Sequence, residues 1–201
     1  MTSKSVTFLH RRIDPKLIAL ARTQQALNGH IPITAINMCL LTIYALGAGY
    51  SHVVFSNERG ASAETTKVNG HAINHQFSKS FAFEKHFRAV MSEILGGAVE
   101  TFSLLRPVSE LWIAQNLAQH GAHRLSEFAS CNRNFVSTVT IEDAQRVKWC
   151  GTCSKCLFTA LIFAPHMTPG EHASIFGHDM LDDAQYAQDM RDLVGLTDQK
   201  P

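Results

Sequence analysis

Apolar residues recur in this chain with two periods, and the switches between them divide it into elements. Val6-Thr7-Phe8-Leu9 is short and β-prone, and reads as a strand or the end of one. Pro15 opens a helical pattern in which Leu17, Ile18, Leu20 and Ala21 repeat towards Leu27. Asn28-Gly29 stops it by supplying a left-handed residue. Thr34 is placed to cap a helix over residues 35–46. That helix is apolar nearly all round, so burial is expected for it and for Cys39 within it. Residues 52–56 read as a short buried strand, followed by a polar loop and then Asn69-Gly70, a hairpin-turn signal. A strong helical pattern covers residues 78–95, capped by Ser78. Phe77, Phe81, Phe87, Met91 and Ile94 fall near one face, and Gly96-Gly97 ends the run.

Residues 99–105 form the next strand candidate, closed by Arg106-Pro107. Ser109 caps a helix to about Gln119, and residues 155–163 look helical up to Pro165. Thr168-Pro169-Gly170-Glu171 is a capping box with proline at the first helical position, and the helix closes at Gly177. Asp182 or Asp183 starts a last helix towards Leu193. Strands alternating with helices predict an α/β fold with a partial doubly wound parallel sheet. Three strand candidates are few for such a sheet. Residues 1–201 therefore read as one domain that is the carboxyl-terminal part of a larger α/β enzyme, with 131–201 a cysteine-anchored helical region.

Composition narrows the class. With 201 residues, 45% apolar and 17% charged, the chain has enough material for one well-buried domain. Its 18 basic and 17 acidic residues leave no basic field for phosphates, so no nucleic-acid partner is expected. The start of the chain has no apolar signal region, and the run over residues 35–50 is too short to span a bilayer. The expected setting is cytoplasmic, where thiols stay reduced.

Cysteine spacing carries the strongest chemical signal. Cys131, Cys150, Cys153 and Cys156 follow C-x18-C-x2-C-x2-C, with Gly151 suited to a tight turn between sulfurs. Four thiolates fill the tetrahedron of a structural Zn²⁺ site and leave no open position. An iron–sulfur run, a redox dithiol and unrelated buried thiols are the other readings of this spacing. His166, His172 and His178 lack ligand spacing and read as surface or cap residues.

Polar constellations gather where strands end. Asn57, Glu58 and Arg59 follow a strand, at the edge where open α/β sheets bind ligands. His75, Ser78 and Lys79 lie at a helix start, which suits an anion, and His75 could act as a base. Arg106 could grip a carboxylate or phosphate, and Glu110 could be a base or a metal ligand. Each group also has a plain structural reading as a turn or cap. Asn132 and Arg133 sit beside the first cysteine.

Seven segments share one resemblance: N-G-H-I-P-I-T-A-I-N from Asn28, V-V-F-S-N-E-R-G-A-S from Val53, N-H-Q-F-S-K-S from Asn74, F-S-L-L-R-P-V-S-E-L from Phe102, S-C-N-R-N-F from Ser130, W-C-G-T-C-S-K-C from Trp149 and I-F-G-H-D-M-L-D-D from Ile175. Together they resemble the bacterial UDP-N-acetylmuramoyl-L-alanyl-L-glutamate epimerases of peptidoglycan synthesis. The resemblance implies an ATP-pyrophosphatase-like (HUP-like) fold and an isomerase that uses ATP and Mg²⁺ beside a structural Zn²⁺. The substrate would be a UDP-muramoyl dipeptide, its terminal L-glutamate adenylated so that Cα–H becomes acidic. The implied acid/base candidates are His75, Glu58, Lys79 and Glu110, in that order. Substrate or nucleotide contacts would come from Asn57, Arg59, Ser78, Arg106, Asn132 and Arg133.

One departure matters. Such folds carry an S-G-G-x-D-S-type phosphate loop after the first strand, and this chain has none. A truncated chain is the expectation, with a separately encoded amino-terminal half as a candidate partner. The alternatives are a related enzyme such as a deazaguanine nitrile synthase, or a non-catalytic zinc-stabilised binding module.

Overall fold

The computed structural model describes residues 6–12, 14–16, 31–121, 131 and 148–197. The chain divides into two compact units, Met1–Ile31 and Pro32–Pro201. In the first, residues 6–12 have no regular structure and Val6, Phe8 and Leu9 are exposed. The expected strand there does not form: it has no ladder partner among the described residues. The helix expected from Pro15 to Leu27 lies mostly outside the described residues.

The second unit begins with helix α1 (Ile33–Ala48), closed by Gly49 in the left-handed conformation. Thr34 does not cap it. The N-cap is Pro32, without a side-chain bond, and Thr34 is buried one residue inside the helix. Uniform apolarity also misleads about burial. Met38, Thr42 and Ala45 face inward, whereas Leu40, Ile43, Leu46 and Cys39 are exposed. One face of a helix can pack on one layer only, and here the second layer is lacking among the described residues.

Strand β1 (His52–Phe55) pairs in parallel with β4 (Glu100–Ser103), in register Val53 to Thr101 and Phe55 to Ser103. Between them, β2 (Thr66–Val68) and β3 (His71–Ile73) form an antiparallel hairpin. Its turn puts Asn69 at φ 51° and Gly70 at φ 80°, as an Asn-Gly hairpin turn requires. Helix α2 (Phe81–Leu95) starts later than expected, because residues 77–79 form a tight 3₁₀ turn. Ser80, not Ser78, is its cap, accepting from Phe83 N–H at 3.2 Å. Of the expected aromatic face, Phe87 is buried while Phe77, Phe81 and Ile94 are half or more exposed. Ala45, Val53 and Val99 form a small core with Leu41, Phe55 and Leu95 against them.

Helix α3 (Glu110–Gly121) is capped by Ser109, as expected. It packs through Ala114 on Phe163 of α4 (Ser154–Phe163). The capping box at Thr168 and Glu171 is formed in full at α5 (Pro169–Phe176). Asp183 caps a 3₁₀ turn that leads into α6 (Ala187–Leu193). These carboxyl-terminal elements share a core of Cys131, Trp149, Cys156, Leu157, Ala160, Phe176, Met180 and Tyr186. His172 is not a surface or cap residue. It lies one turn before Phe176 on the inner face of α5 and is 2% exposed. Among the described residues no helix is long and apolar enough to cross a membrane.

A buried ion pair ties the strand ends to α2. Arg106, in the turn after β4, donates to Glu84 Oε2 at 2.8 Å, to the Glu58 carbonyl at 2.9 Å and to the Lys79 carbonyl at 2.9 Å. Glu84 also accepts from Ser103 N–H at 3.2 Å. Burial alone would push the Glu84 carboxyl up, but the Arg106 and Ser103 hydrogen bonds and the guanidinium charge outweigh it and hold it below its usual range. That contribution to stability is present above the unfolded-state pKa and is lost as pH falls through the lower folded value. Arg106→Met leaves a buried carboxylate without its cation, and should cost about 3–5 kcal/mol in denaturant unfolding at pH 7. The loss should shrink on acidification as Glu84 protonates.

Candidate metal centre and adjoining cleft

Four cysteines converge at the start of α4. Cys131, Cys150, Cys153 and Cys156 place their Sγ atoms within 4.8 Å of one another. The separations are 3.8 Å for Cys131–Cys153, 3.8 Å for Cys150–Cys156 and 3.5 Å for Cys153–Cys156. Metal–sulfur bonds of about 2.3 Å to one tetrahedral ion put the sulfurs about 3.8 Å apart, so this set could hold a single metal ion. A multi-iron cluster, with its sulfurs on different irons, would spread them wider. The separations are also far from the roughly 2.05 Å of a disulfide.

Local sequence makes the knuckle. Gly151 has φ +64°, and a Cβ there would lie 2.2 Å from the Phe176 carbonyl and 3.2 Å from the His178 ring. Only glycine permits both the conformation and the approach. Its carbonyl accepts from the Tyr186 hydroxyl at 2.9 Å, and His178 stacks on Tyr186. Much of the I-F-G-H-D-M-L-D-D segment thus closes over the cysteine turn: Phe176 and Met180 fill the core and His178 covers Gly151.

Charge in the cluster is unbalanced. Burial would push the Cys150 thiol up, but the Thr152 hydroxyl and N–H, both 3.4 Å from its sulfur, bring it down to about 6. Burial pushes the Cys156 thiol up against the pull of Gly151 N–H, and the Cys153 and Cys150 sulfurs push it further. Four thiolates in this space need a cation to ionise together, and a divalent ion supplies that charge.

A cleft of about 450 Å³ adjoins the knuckle. Glu58, Glu110, Lys155, Trp149 and Phe158 line it, with Ile113, Leu117 and Ile162 among its apolar residues. Glu58 lies past the end of β1, Glu110 opens α3 and Lys155 opens α4 beside Cys156. An added Cβ on Gly60 would meet Glu58 Oε1 at 3.4 Å and Glu110 Oε2 at 3.6 Å, so the two carboxylates converge over that glycine. Burial, and then the Glu58 charge, push the Glu110 carboxyl up; Lys155 and Lys79 pull the other way. The cleft therefore holds two carboxyl groups, of which Glu110 is pushed above its usual range.

The other expected site residues are dispersed. His75 is exposed, its backbone N–H bonded to Thr65 Oγ1 at 3.1 Å, and is not in the cleft lining. Ser78 is buried in the 3₁₀ turn with Lys79 half-buried beside it. Asn57 donates to Ser103 Oγ at 3.1 Å, and Arg59 is exposed, its N–H held by the Val108 carbonyl. The Arg106 guanidinium faces protein partners. Asn132 and Arg133 lie outside the described residues. Lys155 was not singled out from the sequence; its place one residue before Cys156 was the available signal.

Residues 1–104 match the MurL N-terminal domain and residues 127–201 the MurL C-terminal domain. Three curated relatives carry the name UDP-N-acetyl-alpha-D-muramoyl-L-alanyl-L-glutamate epimerase. One, from Xanthomonas oryzae pv. oryzae (strain MAFF 311018), is 40% identical over 200 residues, covering 100% of this chain and 43% of the relative. Those from Micromonospora sp. (strain ATCC 39149 / NRRL 15099 / SCC 1413) and Salinispora tropica (strain ATCC BAA-916 / DSM 44818 / JCM 13857 / NBRC 105044 / CNB-440) are 41% and 39% identical, covering 95% of this chain and 41% and 40% of theirs. The chain thus spans less than half the length of these relatives. No solved structure matches it significantly.

Two outcomes follow from the geometry. Gly151→Ala should destabilise the fold by at least about 2 kcal/mol, read by thermal or denaturant unfolding, because strain and a backbone clash add. Glu110→Gln should stabilise at pH 7. A carboxyl whose folded pKa is raised contributes most below its unfolded pKa and loses that contribution as pH rises through the folded value. The gain of the variant should therefore vanish below about pH 4.

Proposed function

The chain belongs to the MurL family, and from that premise we propose that it contributes the proton-transfer cleft of an ATP-dependent epimerase. The reaction inverts the terminal L-glutamate of UDP-MurNAc-L-Ala-L-Glu to D-glutamate, in cytoplasmic synthesis of peptidoglycan precursors. The printed names of the relatives support the reaction. The observation that carries the assignment to this chain is the convergence of Glu58 and Glu110 beside Lys155, past the end of β1. Ligands of open α/β sheets bind at that edge, which also supports a HUP-like fold completed by further strands.

Inversion needs one group to remove the Cα proton and another to return one on the opposite face. A carboxylate next to Cα resists this, since deprotonation adds charge to an anion. When bound, ATP would supply the remedy, activating the α-carboxylate as an acyl-adenylate with pyrophosphate as the leaving group. Glu58 would take the proton from the L face, and Glu110, its carboxyl pushed up by burial and by the Glu58 charge, would donate to the other. Lys155 faces the same space with an ammonium suited to the remaining side-chain carboxylate. Hydrolysis would restore the α-carboxylate, with AMP as the leaving group. This chain has no S-G-G-x-D-S-type phosphate loop, so none of its residues is assigned to the ATP phosphates or to Mg²⁺. The four cysteines suit structural Zn²⁺: a closed four-sulfur set leaves no open position, and the ion would hold α4, with Lys155, against the cleft.

The assembled enzyme in deuterated solvent tests the roles. Glu58→Gln should abolish both inversion and deuterium entry into the L-substrate. Glu110→Gln should lower inversion about 100-fold or more while deuterium still enters. Wild-type rates for both variants would refute the assignment. Metal analysis of the isolated chain should find one zinc per molecule, lost with solubility on Cys156→Ser.

A further inference from the structure

Among the described residues the parallel pair β1–β4 is a two-stranded sheet. Neither strand has another partner among the described residues. One face of the pair is sealed: Val53 is 7% and Thr101 2% exposed, with Ala45 packed on Val53 and Thr42 Oγ1 3.4 Å from Thr101 Oγ1. The opposite face is open. Val54 is 52% exposed, His52 and Glu100 are exposed, and Phe102 is half-buried, its ring set edge-on to His52 at 6.2 Å. Parallel ladders occur almost only with both faces covered and with further strands beside them. A bare parallel pair presents a row of unpaired N–H and C=O groups and an apolar pleat to water.

The relatives say how much chain is available to cover it. This chain spans 43% of the Xanthomonas protein, which leaves more than half of that polypeptide. Both strands lie within residues 1–104, the part matched to the N-terminal domain. We infer that the open face and free edges of β1–β4 are the surface on which the rest of the MurL polypeptide completes a three-layer α/β sandwich. A further parallel strand joins a free edge, and an amphipathic helix seats on Val54 and Phe102. A strand added in parallel ends at the same edge as β1 and β4, so its following loop reaches the cleft of Glu58 and Glu110. The inference rests on family membership and not on the epimerase reading, because docking needs no turnover.

The segment of the Xanthomonas oryzae relative that this chain does not match, produced separately, is the probe. Mixed with this chain, it should give a 1:1 complex by light scattering, with amide exchange slowed in residues 52–55 and 100–103. Val54→Asp should weaken binding at least tenfold. Val68→Asp, equally exposed on the hairpin, should not. Because Val54 is exposed, its variant should keep the unfolding curve of the parent; if it does not, the exchange footprint decides by itself. Absence of a complex, a complex without protection of β1 and β4, or one indifferent to Val54→Asp would overturn the inference. So would self-association of this chain that Val54→Asp abolishes, which would make a second copy the occupant.

Discussion

Four sulfurs gathered within 4.8 Å are the constraint on which the carboxyl-terminal half depends. Left as thiols they compete for protons: Thr152 favours the thiolate at Cys150, while burial disfavours it at Cys156. One divalent cation would resolve the conflict for all four. The surroundings are shaped to that end. Gly151 takes a left-handed conformation under the Phe176 carbonyl, Tyr186 holds the Gly151 carbonyl, and α4 leaves the knuckle with Lys155 in its first turn. With a metal ion on the four sulfurs, turn and helix would form one lever whose free end lines the cleft.

A second constraint acts on the other wall. Arg106 joins Glu84 on α2 to the backbone of the β1 loop and of the 3₁₀ turn at residues 77–79. The loop that carries Glu58 is thereby fixed to the loop that opens α3 and presents Glu110. Where a free arginine would suit a substrate phosphate, this one organises the edge. Its ion pair is 13% and 5% exposed, which makes it worth more as geometry than as net stability.

What the sequence disclosed follows the range of each interaction. Caps and turns are decided within four residues, and Asn69-Gly70, Ser109, Thr168 with Glu171, and the cysteine knuckle were all legible. Ser80 in place of Ser78 was not, because a 3₁₀ turn shifted the helix start by three residues. Burial of α1, exposure of Cys39 and burial of His172 depend on which layers pack on which face, and composition does not encode that. Among the candidate site residues, Glu58 and Glu110 were legible as strand-end carboxylates. Their meeting with Lys155 was not, since it joins segments about 45 and 50 residues apart through a fold that no local pattern specifies.

A metal ion held by the four cysteines would position the cleft wall through α4. Hydrogen exchange before and after removal of the metal by a chelator tests it directly. Protection should fall in α4, residues 154–163, and in the facing part of α3, residues 110–117, while β1 and β4 keep theirs. Unchanged exchange in α4 and α3 after the metal has left would contradict it.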